Sequence, residues 1–362
     1  MTSPEELQAI RARIDELDAK IQALISERAE CALEVARAKR AAGETTDFYR
    51  PEREAEVLRN VVNRNKGPLK DEEVARLFRE IMSVCLALQE PLKIAFLGPE
   101  GTFTEAAAVK HFGHSIRTVP MMAIDEVFRE VEAGTAHYGV VPVENSTEGV
   151  VNHTLDMLVH SPLKICGEVE LRIHQHLMSA ADDIRKITQV HSHQQSLAQC
   201  REWLDANLPH AERVPVSSNA EAALNAKQEA GVAAIAGEMA AEKYGLRILA
   251  RNIEDQPDNT TRFLVVGRQL VGRSGSDKTS LLVSTHNRPG ALYQLLEPLA
   301  RHGISMTRIE SRPARRGMLW DYIFFVDIEG HVQDETVDKA LKELEANALL
   351  LKVLGSYPNA IL

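Results

Sequence analysis

Long apolar runs, paired cysteines and an excess of positive charge are all missing from this chain of 362 residues. The longest apolar stretches, such as Tyr322 to Val326, are too short to cross a bilayer. The N-terminus is polar and helix-like, without the apolar segment of a signal peptide, so the expected compartment is the cytoplasm. The four cysteines, Cys31, Cys85, Cys166 and Cys200, lie far apart with no C-x-x-C pair. That spacing argues against a zinc ribbon or a disulfide framework and for reduced, mostly buried thiols. A formal net charge of −10 offers no broad cationic field to phosphate backbones or anionic lipids, so neither nucleic acid nor a membrane is an expected partner. What is present, 44% hydrophobic and 26% charged residues, is ordinary globular usage, and the length suggests two or three cores.

Residues 1 to about 90 read as all helix, because apolar positions recur at helical spacing without strand-like alternation. Ile10, Ile14, Leu17, Ile21, Leu24, Arg28, Cys31, Val35 and Ala38 form a heptad seam interrupted by an arginine. Gly43 and the following Thr45 and Thr46 are the expected stop. Pro51 suits the first turn of a second helix that ends at Asn65-Lys66-Gly67-Pro68, and Asp71 suits the cap of a third running toward Gln89. From Leu92 the texture becomes short β-type runs between amphipathic helices, at 94–97, 138–143, 187–190, 232–236 and 263–266, the pattern of an α/β domain. A Gly/Ser-rich linker at 272–278 follows. Beyond it, strands near 280–284, 305–310, 320–328 and 352–355 and helices over 291–301 and 335–345 give the ferredoxin-like order βαββαβ.

An arginine in an apolar seam is costly unless it meets an anion or snorkels past its neighbours. A structural pair with a glutamate on a facing helix is one reading of Arg28. The other is a ligand site, since Lys39 lies about 16 Å along the same face, while Arg11, about 25 Å the other way, joins only from an antiparallel second copy. Arg11, Arg28, Lys39, the Arg53-Glu54 pair and Gln89 together resemble the all-helical chorismate mutase family. Arg50 stands where relatives often carry an acid, and Cys85 where a serine is common; taking Glu54 rather than Glu52 is an alignment choice. The resemblance implies a homodimer, or a higher oligomer built from it, with composite sites. There Arg11 and Arg28 grip two carboxylates, Arg53 adds a further cation, Lys39 and Gln89 donate to the ether oxygen, and Glu54 orients the ring hydroxyl. A unimolecular Claisen rearrangement needs only positioning and electrostatics, with no cofactor.

Ile94-Ala-Phe-Leu-Gly-Pro-Glu-Gly-Thr-Phe-Thr-Glu is a strand, a glycine loop and a helix start. It lacks Gly-Lys-Ser/Thr and G-x-G-x-x-G, which disfavours a nucleotide; it reads as a turn or as a helix N-terminus facing a carboxylate. With Val141-Pro-Val-Glu-Asn-Ser146, His191-Ser-His-Gln-Gln-Ser196 and Asn259-Thr-Thr-Arg-Phe263, it resembles prephenate dehydratase, with Gln194 replacing a common proline. By that resemblance Thr261 assists departure of the ring hydroxyl, Arg262 anchors the side-chain carboxylate, and Thr102, Asn145, Ser146 and Ser192 position the ring. Glu144 is either the proton reservoir or a structural hydrogen-bonding group. His174, His176, His191 and His193 invite a metal reading, set aside because no cysteine joins them and the reaction needs no metal.

Arg288-Pro-Gly-Ala-Leu292 and Glu310-Ser-Arg-Pro313, a helix cap and an edge turn on their own, resemble in this βαββαβ setting the ACT domain attached to dehydratases. The implied effector is phenylalanine, held near Gly290, Ala291, Leu292, Glu310, Ser311 and Arg312. The expected architecture is therefore multidomain: an all-α mutase domain over 1–91, an α/β two-lobed dehydratase domain over 92–270 and an α+β ferredoxin-like ACT domain over 278–362. The implied activity converts chorismate to prephenate and then to phenylpyruvate under phenylalanine feedback. Competing readings are a dehydratase with a vestigial helical domain and a non-catalytic amino-acid sensor.

Overall fold

The computed structural model describes residues 4–43, 49–285, 288–313 and 322–360. Helix α1 (Pro4–Ala41) has 38 residues, about 57 Å at the α-helical rise. Of its residues only Ala36 is buried, and Leu7, Ile10, Ile14, Leu17, Ile21 and Leu24 are between 45% and 64% exposed. The apolar seam is thus uncovered within one chain. After α1 the chain turns at Gly43, whose φ of +79° suits a residue without Cβ; Thr45 and Thr46 lie outside the described residues. Helix α2 (Pro51–Arg64) opens on its proline, where a missing N–H leaves no bond unmade. Helix α3 (Asp71–Ala87) is capped by Lys70, whose backbone N–H donates to Glu73 Oε2 at 3.3 Å. The expected cap, Asp71, is the first helical residue and accepts instead from Asn65 Nδ2 at 2.7 Å.

The next segment builds two lobes. The first contains β1 (Lys93–Leu97), α4 (Phe103–Phe112), β2 (Arg117–Met121), α5 (Ile124–Glu132), β3 (Tyr138–Asn145), β4 (Gly149–Val150), α6 (Asn152–His160) and β5 (Lys164–Arg172). The second contains β6 (His176–Ser179), β7 (Gln189–His193), α7 (Gln194–Gln199), α8 (Arg201–Asn207), β8 (Glu212–Val216), α9 (Asn219–Gln228), β9 (Val232–Ala236), α10 (Glu238–Tyr244) and β10 (Arg247–Ala250). The chain then returns as β11 (Thr260–Gly267), antiparallel to β3 and β5 and inserted between them in the order β2-β1-β3-β11-β5. The second sheet runs β10-β6-β9-β7-β8. Two crossings, at 173–175 and 251–259, join the lobes.

The last segment is β12 (Asp277–Thr285), α11 (Ala291–Arg301), β13 (Met306–Pro313), β14 (Tyr322–Glu329), α12 (Glu335–Asn347) and β15 (Leu350–Pro358), in the antiparallel order β13-β14-β12-β15. The expected βαββαβ order is present; Trp320, the expected start of its third strand, lies outside the described residues. Glu310 to Pro313 do not form a turn after the second strand. They lie within β13 and pair with Phe325 to Tyr322 of β14, and the proline is tolerated because β13 is an edge strand.

The first lobe's sheet is covered on both sides, because successive side chains of β11 alternate between faces. Phe263 and Val265 join Phe96, Phe112 and Tyr138 beneath Tyr49 and Leu86 of the helical segment. Leu264 and Val266 join Val141 and Val143 against Leu282, Phe325, Leu354 and Tyr357 of the C-terminal sheet. Close approach of β15 to β5 requires Gly355: a Cβ there would lie 2.1 Å from the Ile165 carbonyl oxygen. Lys352 Nζ donates to the carbonyls of Leu158, Val159 and Ser161 at 3.0, 3.1 and 2.7 Å, satisfying the C-terminal end of α6. Gly355→Ala is expected to cost about 3 kcal/mol through backbone displacement, read as a lowered urea midpoint, whereas Gly67→Ala, whose Cβ has room, leaves the midpoint nearly unchanged.

Candidate active site

The cleft between the lobes encloses ≈ 970 Å³ and is lined by Thr147, His193, Gln195, Gln199, Arg201 and Asn259 among others. Asn145, at the end of β3, faces Thr261 on β11 in register. Asn145 Oδ1 accepts from the backbone N–H groups of Thr147 and Glu148, both at 3.0 Å, so its Nδ2 is the donor to Asn259 Oδ1 at 2.8 Å and to Thr261 Oγ1 at 2.7 Å. Ser146 closes the same corner, its hydroxyl accepting from Thr260 N at 2.9 Å. Asn145, Ser146 and Thr261 are therefore brought together. Asn259, the first residue of the Asn-Thr-Thr-Arg-Phe run, and Gln199 are added to them by the fold.

Other expected site residues are placed elsewhere. Ser192 is fully buried, and its hydroxyl contacts Asn219 Oδ1 at 2.9 Å and donates to the Ile235 carbonyl at 2.7 Å. It thereby fixes the loop behind His193 and does not face the cleft. Thr102 caps α4, its hydroxyl donating to Leu97 O at 3.3 Å, and lines a separate cavity of ≈ 280 Å³ with Phe103, His174 and His176. Glu105, buried behind it, holds the glycine loop by accepting from Gly101 N at 2.6 Å and Thr118 Oγ1 at 3.0 Å. Glu105 ends the glycine-loop stretch, and its part in holding that loop shows only in the fold. Gly101 and Phe103 also pack on Ala240, Tyr244 and Gly237 of the second lobe.

The largest corrections concern Arg262 and Glu144. Strand alternation puts both on the face opposite Thr261 and Asn145. Arg262 pairs with Glu168 at 2.8 Å and with Asp327 of β14 at 2.8 Å, and reaches Tyr357 Oη at 3.3 Å. Burial disfavours the charged guanidinium, and the carboxylates of Asp327 and Glu168 outweigh that cost and keep it charged. Glu168 also accepts from Lys278 Nζ at 2.5 Å. Glu144 Oε2 accepts from Arg308 Nε at 2.8 Å. Neither side chain is among those lining the cleft. Among the described residues no group of three or more His, Cys, Asp or Glu side chains is placed to hold a metal. His174 pairs with Glu254 at 2.8 Å, His176 accepts from Asn252 N at 3.1 Å, and His191 contacts Gln189 and Asn225.

In the helical segment Arg28 is half-buried and Arg11 exposed, and neither forms an ion pair among the described residues. Gln89 sits two residues beyond α3, where its carbonyl accepts from Arg40 Nη2 at 3.1 Å beside Lys39. Arg53 points to solvent and pairs with Glu56 at 2.6 Å. Glu54 faces away from α1. It occupies a pocket of ≈ 380 Å³ with Tyr49, Arg79 and His111 against β5, its Oε1 3.6 Å from Arg79 Nε. The amphipathic face of α2 that buries Pro51, Ala55 and Leu58 turns it there. Burial raises Glu54 to about 7 despite Arg79, and burial lowers His111 to about 3. In the C-terminal segment Arg312 binds Asp156 at 2.8 Å and the Asn152 carbonyl at 3.1 Å, and by alternation Glu310 shares that inward face. Gly290 (φ +77°) caps α11, followed by Ala291 and the partly exposed Leu292; Ser311 is exposed on β13.

Between the ordinary glutamate value and about 7, the folded chain keeps a proton on Glu54 that the unfolded chain has released. Stability therefore falls as pH rises through that window. Glu54→Gln should remove about 3 kcal/mol of that pH dependence, measured as the difference between variant and parent in urea unfolding at pH 5 and pH 8.

Three family models match in succession: chorismate mutase type II over residues 10–90, prephenate dehydratase over 94–270 and the ACT domain over 279–346. The chain is 59% identical, over the whole of both chains, to a bifunctional chorismate mutase/prephenate dehydratase of Stutzerimonas stutzeri. It is 58% identical, again over the full length of both, to that of Pseudomonas aeruginosa. A solved prephenate dehydratase from Arthrobacter aurescens, in complex with L-Phe, superposes with a TM-score of 0.67 at 37% identity, covering 74% of this chain and 90% of that one. With mutase helices, a two-lobed dehydratase and an ACT module in one polypeptide, the chain belongs to the bifunctional chorismate mutase/prephenate dehydratase family.

Proposed function

We propose that the mutase, dehydratase and regulatory functions occupy residues 1–91, 92–270 and 278–362, that the enzyme works in the cytoplasm as a homodimer, and that phenylalanine inhibits it through the ACT module. For the dehydratase, the Asn145–Thr261 contact carries the reading. Because Asn145 donates to Thr261 Oγ1, the threonine hydrogen is left to donate to the departing ring hydroxyl of prephenate. A threonine is too weak an acid to be the ultimate proton source, so it serves as a relay. Asn259, Ser146 and Gln199 orient the ring, and Arg201 is the cation in the cleft lining that replaces Arg262 as the partner for a carboxylate. Loss of carbon dioxide and water together makes the ring aromatic, which supplies the driving force.

For the mutase, an Arg28 without an ion-pair partner among the described residues, on an apolar seam exposed in one chain, supports a composite site. Arg11 of a second copy, Arg28, Lys39 and Gln89 would hold the chorismate dianion and meet the negative charge growing on the ether oxygen. Glu54 and Arg53 are left out of that set, since neither faces α1. The L-Phe complex of the Arthrobacter relative supports phenylalanine as effector here, at the exposed edge formed by Gly290, Leu292 and Ser311.

Chorismate supplied to the purified chain without cofactor should yield phenylpyruvate, less of it when phenylalanine is present. Arg28→Ala should lower mutase kcat/KM at least about 100-fold and spare the dehydratase, and Thr261→Ala should do the reverse. Loss of both activities in either folded variant would refute separate sites. Ile14→Asp with Ile21→Asp should yield monomers in sedimentation velocity and abolish only the mutase; a dimeric, active double variant contradicts the composite site.

A further inference from the structure

Asn145 and Thr261 are direct partners across β3 and β11, and so are the residues beside them, Glu144 and Arg262. Across the domain boundary Arg308 and Asp327 are partners in the same way on β13 and β14. The two cross-strand pairs face one another with opposite charges: Glu144 meets Arg308 and Arg262 meets Asp327, each at 2.8 Å. Ser280 Oγ donates to Asp327 Oδ1 at 2.5 Å and exchanges a hydrogen bond with Tyr357 Oη at 2.8 Å, which fixes the acid on the ACT side. Arg312, four residues from Arg308 on the same face of β13, is bound to Asp156 and Asn152 of α6. The strand that displays Ser311 is thus fastened to the first lobe at two points, one of them a single peptide from Asn145.

An apolar surface already docks the ACT sheet, and buried ion pairs are a poor source of stability compared with well-packed apolar groups; their attested use is to fix registry. Here the registry being fixed is that of the two strands whose opposite faces carry Asn145 and Thr261.

We infer that Arg262 and Glu144 are positioning residues, and that the charge quartet they form with Arg308 and Asp327 is the route by which the ACT module governs the dehydratase cleft. The pairs hold β3 and β11 in the arrangement in which Asn145 donates to Thr261. An effector that displaces β13 or β14 alters that arrangement without touching the cleft. The inference rests on the reading of phenylalanine as inhibitor.

Asp327→Asn in the full-length chain removes the charge facing Arg262 while keeping the side chain's shape, and Arg308→Gln opens the other, more exposed pair. Mutase turnover of the same preparation reports folding. Dehydratase kcat should fall about 10-fold with KM nearly unchanged. The phenylalanine concentration for half-inhibition should rise about 10-fold or more, while phenylalanine binding by equilibrium dialysis stays within about 3-fold of the parent. Unchanged kcat and unchanged half-inhibition in both variants would overturn the inference. If the parent itself binds phenylalanine without being inhibited, or does not bind it, the feedback reading is what fails. The positioning role is then decided by kcat alone, a fall upholding it and parental turnover sinking it.

Discussion

A guanidinium taken out of water has to be met by carboxylates, and the way Arg262 meets that requirement organises the middle of the molecule. It sits on a strand inserted between two others and faces the ACT sheet, so its side chain is largely buried. Glu168 on β5 and Asp327 on β14 lie on either side of it, one from its own sheet and one from the ACT sheet. Removing either partner would leave a buried charge uncompensated, at a typical cost of about 3–5 kcal/mol. The ACT sheet is therefore part of what makes the dehydratase strand tolerable. The domain boundary in sequence is not a boundary in energetics.

The same sheet explains how one chain packs three modules together. Alternation along β1, β3 and β11 gives two apolar faces. The helical segment closes one through Tyr49, whose ring lies 5.2 Å from Phe112 and 5.4 Å from Tyr138, and the ACT sheet closes the other. The second lobe lacks such cover and is joined by the two crossings and the contact of Gly101 and Phe103 with α10. Cleft residues come from those crossings: Glu254, whose carboxylate accepts from Gln175 N at 2.9 Å, and Asn259, which receives Asn145 Nδ2. The cluster of Asn145, Asn259 and Thr261 thus lies where the two lobes meet, and the ACT sheet attaches to the back of the lobe that carries Thr261.

Most of this order was legible in the sequence, because period-2 patterns report burial in the sheets, whereas the heptad seam of α1 reports an apolar face that one chain leaves exposed. The helix over 291–301 and the runs at 94–97, 138–143, 232–236 and 263–266 fall within the elements they predict. Strands with mixed polarity escaped. Lys164–Arg172 carries Lys164 and Glu168 because they bind across the domain boundary, to the Val353 carbonyl and to Lys278, partners that the strand itself does not announce. Site residues were legible as motifs but not as faces. Thr261 and Arg262 are neighbours in the motif, and the pleat sends them to opposite faces, one toward Asn145 and the other toward Asp327. The placement of Glu54 was not legible either, because which side of α2 is buried depends on the dehydratase lobe beneath it.

Helix α1 carries a constraint that a single chain leaves unmet. Its exposed apolar stripe, from Leu7 to Val35, is centred near Ile21. The midpoint between Arg11 and Arg28 falls between Ala19 and Lys20, within half a helical turn of that centre. An antiparallel copy crossing there would cover the stripe and would also set Arg11 of one helix opposite Arg28 of the other. Burial alone requires no arginines at mirrored positions, and an arginine pair alone requires no apolar stripe with the same centre. That both are satisfied by one two-fold axis is the strongest reason to assign the helix a shared site as well as an interface. It also explains why the two guanidiniums have no carboxylate partner among the described residues of their own chain: in the assembled site the anion they face would be the substrate.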